Sequence, residues 1–265
     1  MKTPQKREHG LSNAYKAFQK NMEDIERLLE LHTQEGGSEP GRRYGLEVLN
    51  KSAIVLITSF WEAFCEDLAS DALDVYVKRA KTFDVLPLVL RKRIAAELKG
   101  DKHDLSPWQL AGDGWRKHLV SRLDELKRKR NWNFNSPNAG EVDALFKEAV
   151  GIPEITATWK KKKWFTPEKA RKTLNAFVSL RGEIAHRGRG LKSITRTQVT
   201  NYMRLVIELA RITEAKAWVD ANSAVGAFTL TKDDFEAFFR DLPKPKAPEG
   251  KVIETSPEGT VKTVL

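Results

Sequence analysis

The sequence predicts an all-α helical bundle with one core, and three observations carry that expectation.

 

Apolar residues recur at steps of three and four through most of the 265 residues, the spacing of one helix face. No stretch alternates apolar and polar residues long enough to make a useful strand, and no glycine pattern of the dinucleotide or P-loop type occurs. Several helix starts carry their own signals, where Ser, Asn or Thr is followed by Pro or by Glu/Gln three residues on. The composition, 40% hydrophobic and 31% charged, is that of a globular chain with enough apolar residues to bury a core.

Residues 1–10 read as a flexible N-terminus, and residues 11–242 as the helical domain. Leu11, Ala14, Tyr15, Phe18, Met22, Ile25 and Leu29 line one face of a first helix, and Gly36, Gly37, Pro40 and Gly41 form a loop. A long second helix is expected from near Tyr44 towards Lys81. Its middle, Ala53 to Phe64, is apolar on nearly every side, as suits the centre of a bundle. Shorter helices are expected over Leu86–Leu98 and Pro107–Lys129, the second opened by a Ser106 cap with Pro107 and Gln109. Asn138 and Glu141 open a segment holding Val142, Leu145 and Phe146. Thr166, Pro167 and Glu168 open a helix that runs to about His186, where Gly188 and Gly190 end it. The last long helix, Thr195 to Ala221, buries Val199, Met203, Val206, Ala210 and Ala217, and a short one runs from Thr231 and Asp234 to Leu242. From Pro243 the chain is rich in Pro, Gly and Lys with little to bury, so residues 243–265 are expected to be a disordered tail.

The net charge of +10 is unevenly placed. Between Trp159 and Arg211 seven Lys and seven Arg face only Glu168, Glu183 and Glu208, a local balance of +11. A second cluster, Arg116 to Arg130, holds seven positive and two negative residues. Positive charge gathered in this way attracts polyanions, nucleic acid above all; a solvated helical surface is the plainer reading. Cys65 is the only cysteine, so no intrachain disulfide can form, and a cytoplasmic location is expected. The first ten residues have no apolar segment of a secretory signal, and the longest uninterrupted apolar run is Ala53–Ile57, so no membrane partner is expected. His9, His32, His103 and His118 show no ligand spacing with carboxylates or thiols, and neither a metal site nor another cofactor is expected.

One residue does not suit its position. On the helix from Pro167, residues Ala170, Leu174, Phe177, Val178, Ile184 and Ala185 share a face, and Arg181 falls at its centre. A guanidinium there is costly to desolvate unless it is paired or lines a polar cavity. Glu62, Glu66 and Asp67 on the second helix are candidate structural partners; an anion site is the alternative. His186 follows five residues later, roughly 140° further round an ideal helix, and reads either as a cap at the helix end or as a proton-transfer group. Just ahead of this helix, WKKKKWF places Lys160, Lys161, Lys162 and Lys163 between Trp159 and Trp164. Lysines among aromatics suit single-stranded RNA, whereas a solvated loop with its tryptophans anchored in the core is the alternative. Asn131, Asn133 and Asn135 read as turn formers.

The stretch LRGEIAHRG, Leu180 to Gly188, resembles the R-x4–6-H signature of the HEPN superfamily, here Arg181-x4-His186. VLITSFWEAFCEDLASDAL, Val55 to Leu73, resembles the buried second helix of the RiboL-PSP-HEPN branch, with its Trp-Glu-Ala at Trp61, Glu62 and Ala63. FNSPNAGEVDALFKEAVGI, Phe134 to Ile152, is similar to that branch's Asn-Pro-Asn turn and following helix. The resemblance covers roughly residues 11 to 221. It implies a HEPN-type helical bundle that dimerises with the two Arg-His motifs facing each other. It further implies a ribonuclease of toxin–antitoxin or phage-defence systems, with RNA as substrate and an antitoxin protein as a further partner. Arg181 would stabilise the phosphate, His186 would act as general acid or base, and Glu183 would be auxiliary. Beside His186, Arg187 and Arg189 read either as holders of substrate phosphates or as scattered surface charge. The implied reaction is metal-independent and leaves a 2′,3′-cyclic phosphate; a non-catalytic RNA-binding or protein-interaction module is the alternative. Gly182 departs from the many active members that carry Asn, Asp or His after the arginine.

Overall fold

The computed structural model describes residues 11–36, 46–129, 136–160, 165–187, 193–227, 253–255 and 261–263. Among them are seven α-helices: α1 (Asn13–Gly36), α2 (Glu47–Arg79), α3 (Leu88–Lys99), α4 (Gly114–Lys129), α5 (Ala139–Val150), α6 (Pro167–Arg187) and α7 (Arg196–Ala224). Short 3-10 turns stand at Phe83–Val85, Ser106–Leu110 and Ile155–Thr158. Of the tail, the described residues Ile253–Thr255 and Val261–Thr263 pair as a short antiparallel ladder. The helix expected from Thr231 to Leu242 lies outside the described residues.

The bundle is built around α2, which packs against α1, α4, α5, α6 and α7. This is why its middle is apolar all round: neighbours cover it on several sides, so a single apolar stripe would not serve. By length and composition α2 is apolar enough to cross a membrane; here those apolar residues form the core of the bundle. Phe64 meets Phe18 of α1 at 5.1 Å between ring centroids and Trp61 at 5.8 Å, and Trp61 meets Trp159 edge-on at 6.0 Å. Truncating an aromatic side chain buried in this way costs about 3–5 kcal/mol.

The start of α1 is tied to the bundle by polar contacts. The fully buried Glu214 of α7 accepts from the Ser12 amide at 2.8 Å and from its hydroxyl at 2.6 Å. Asp71 of α2 accepts from the Ala14 amide at 2.9 Å. The first amides of α1, which have no partner inside the helix, are thus received by carboxylates from two other helices.

The helix starts divide by whether their caps form. Asn138 accepts from the Gly140 and Glu141 amides, and Thr195 forms a reciprocal capping box with Gln198. The continuous helix expected over Pro107–Lys129 is instead a 3-10 turn, Ser106–Leu110, followed by α4. Gly112 adopts a positive φ of 59°, and a side chain at Gly114 would collide with the Gln109 carbonyl, so the chain turns where glycine permits it. Ser106 is not a cap; its hydroxyl donates to Asp101 at 2.8 Å.

Candidate active site

The geometry of the site follows from α6 lying against α2 and α7. Ala170, Leu174 and Val178 are buried, anchoring the first half of the helix. Further along, Phe177, Leu180, Arg181 and Ile184 are only half-buried, and Ala185, expected on the apolar face, is exposed. The contact face therefore thins towards the C-terminal end of α6, where neighbouring helices no longer cover it.

Arg181 lies in this thinner region. Its Nε is buried and has no hydrogen-bond partner among the described residues. Glu62 of α2 is half-buried, and its carboxyl is raised above the ordinary 4.5. Burial is the largest cause, the negative charge of Glu66 adds to it, and the positive charge of Arg181 opposes it. Arg181 and Glu62 therefore feel each other's field, yet no ion pair joins them among the described residues. With its Nε enclosed and no direct bond to Glu62 among the described residues, this half-buried guanidinium is not tied to that acid.

The floor beside Arg181 is aromatic and polar. Phe177, one turn earlier, stacks on Tyr202 of α7. The Tyr202 hydroxyl shares a 2.9 Å hydrogen bond with Thr58 Oγ1, which also reaches the Ile54 carbonyl at 2.9 Å. Burial pushes this phenol well above its ordinary 10, while the Thr58 bond and the Arg181 charge pull it back. Neither Tyr202 nor Thr58 was among the expected site residues. Tyr202, three residues after Val199, does share the helical spacing of the apolar stripe of α7, and that was the available signal.

His186 is exposed near the end of α6, which stays helical through Arg187. The two motif residues thus sit on one continuous helix, five positions and roughly 140° apart, and do not share a face within one chain. Glu183 is exposed, and Gly182 is half-buried with nothing within 4 Å of an added Cβ.

The basic segment before α6 divides. Trp159 is fully buried and donates its indole N–H to Thr213 Oγ1 at 3.0 Å, so this aromatic is a core residue and not a surface for bases. Lys160 is exposed. Lys161, Lys162, Lys163, Trp164, Arg189, Gly188 and Gly190, with Asn131, Asn133 and Asn135, lie outside the described residues, as does the side chain of Arg187. Cys65 is buried among apolar neighbours, which pushes its thiol well above the ordinary 9.0. Among the described residues no group of three or more His, Cys, Asp and Glu side chains is gathered to hold a metal ion.

A family model described as RiboL-PSP-HEPN matches residues 16–217, a span that contains Glu62, Arg181 and His186. No curated protein and no solved structure matches the chain.

Proposed function

Because the chain belongs to the RiboL-PSP-HEPN family, we propose that it is a metal-independent endoribonuclease working as a homodimer, in a toxin–antitoxin or phage-defence role. The observation that carries this reading is the half-buried Arg181, whose Nε is enclosed without a partner beside an unbonded Glu62. An arginine built to support the fold would be tied to that acid. One left unbonded retains a planar donor set that matches the oxygens of a phosphate.

In the proposed reaction a ribose 2′-OH attacks the adjacent phosphorus. One His186 takes the 2′ proton, and a second His186 gives a proton to the departing 5′ oxygen. The P–O5′ bond breaks, leaving a 2′,3′-cyclic phosphate and a 5′-OH. Arg181 offsets the charge that builds on the phosphate oxygens. Two copies are needed because Arg181 and His186 point apart on one helix, whereas a second α6 brings a histidine from the other side. The half-buried apolar residues Leu56, Phe60, Phe177, Leu180, Ile184 and Leu205, on the three helices around Arg181, support an interface there.

Purified protein incubated with RNA in EDTA tests this. Cleavage that persists in the chelator, leaves cyclic phosphate ends, and is lost in Arg181→Ala and His186→Ala is the expected result. Equal cleavage by wild type and both variants refutes the assignment. Gly182 favours a second reading, a non-catalytic HEPN module. That reading gives salt-sensitive RNA binding by a dimer without any product.

A further inference from the structure

Two helices of the proposed site are held by a single turn. The Trp61 indole N–H of α2 donates to the Pro137 carbonyl at 3.1 Å. The Asn175 side-chain oxygen of α6 accepts from the Ala139 amide at 2.9 Å. Between these anchor points lies Asn138, which accepts from the Gly140 and Glu141 amides at 2.9 and 3.1 Å. The amides of the first turn of α5 are thereby filled by two asparagines, one local and one from α6. The Trp61–Pro137 bond is buried and the Ala139–Asn175 bond part-buried, so these two are costly to leave unmade.

We infer that the Pro137–Ala139 turn is a strut that sets the register of α2 against α6, with Trp61 and Asn175 as its two positioning residues. Trp61 adjoins Glu62 in the chain, and Asn175 precedes Arg181 by six residues on the same rigid helix. Apolar packing between α2 and α6 is non-directional and tolerates sliding, whereas a hydrogen bond at each end of one short turn does not. The strut therefore determines how far the Arg181 guanidinium stands from the Glu62 carboxyl. Its effect on turnover rests on the ribonuclease reading; its effect on helix register does not.

The test compares Asn175→Ala, which removes the acceptor, with Asn175→Asp, which keeps one. Spin labels at Ser52 of α2 and Lys172 of α6, both exposed, report the spacing of the helices in the full-length protein, while RNA cleavage gives kcat and KM. Asn175→Ala is expected to shift the inter-label distance and to lower kcat on the order of tenfold with KM retained. Asn175→Asp is expected to restore both. Trp61→Phe, if it folds, should move the labels as Asn175→Ala does. An unchanged label distance in Asn175→Ala overturns the strut, as does equal impairment by alanine and aspartate; a shifted distance with wild-type kcat overturns the role of Trp61 and Asn175 in positioning the site for turnover. If wild type cuts no RNA yet alanine shifts the labels and aspartate does not, the strut stands and the ribonuclease reading falls.

Discussion

Phe177 lies flat against Tyr202, with ring centroids 4.2 Å apart and planes only 10° from parallel. Arg181 is one helical turn further along, so the stacked pair holds the backbone from which the guanidinium projects. Aromatic pairs of this geometry add about 0.5–1.5 kcal/mol beyond their buried area. The stack stabilises the fold; the arginine beside it, with its enclosed Nε unpartnered, does not.

Replacing that arginine should therefore separate stability from activity. Arg181→Leu removes a half-buried, unpartnered Nε and keeps an apolar stem, so stability should stay level or rise by up to about 1 kcal/mol. RNA cleavage should fall by at least about a hundredfold. A large loss of stability, measured by urea unfolding, would show that the guanidinium is a structural member of the bundle.

Gly182 offers the opposite change. It sits within α6 with open space around its α-carbon, so Gly182→Ala should stabilise by about 1 kcal/mol through helix propensity alone. Gly182→Asn places a polar side chain next to Arg181 and, on the ribonuclease reading, should raise the cleavage rate. A rate unchanged in Asn and a melting temperature unchanged in Ala would both count against this account.

The burial of Glu214 makes stability depend on pH. Burial, the largest cause, raises the Glu214 carboxyl from 4.5 to about 7; the two Ser12 bonds and Lys16 oppose this and Asp71 adds to it. A folded-state value above the unfolded one means that folding favours the protonated form. That contribution is complete below pH 4.5 and disappears as pH rises through about 7. Urea midpoints between pH 5 and 8 should thus fall less steeply in Glu214→Gln than in wild type. Parallel curves for the two proteins would remove Glu214 as the cause.

Trp159 should behave as a core residue despite its basic neighbours. Trp159→Phe loses the bond to Thr213 and some volume, and should cost about 1–3 kcal/mol. Lys160→Ala should leave the urea midpoint unchanged and weaken RNA binding at low salt. Filter-binding and unfolding measurements on both variants distinguish the roles.

Most of the helices were legible because apolar spacing and capping residues agree, as at Asn138 and Thr195. The split after Leu110 was not, since it depends on a carbonyl meeting the Gly114 backbone, a contact that spacing does not encode. Arg181 stood out in the sequence because a charge on an apolar face breaks the pattern of its own helix. Its surroundings did not stand out. Thr58 and Tyr202 meet through a tertiary contact between residues 144 apart, and each alone reads as an ordinary member of its helix. Asn175 was equally silent: its partner is a backbone amide on another helix, and no side-chain pattern marks that.

The clasp between Ser12 and Glu214 joins positions 202 residues apart. A chain emerging from the ribosome would have made its first helix long before the acid that receives it. Until α7 is synthesised, the apolar face of α1 and the far side of α2 lack a finished enclosure, and the nascent protein is exposed to aggregation. Completion of the fold, and with it assembly of any Arg181 site, waits until α7 has been synthesised.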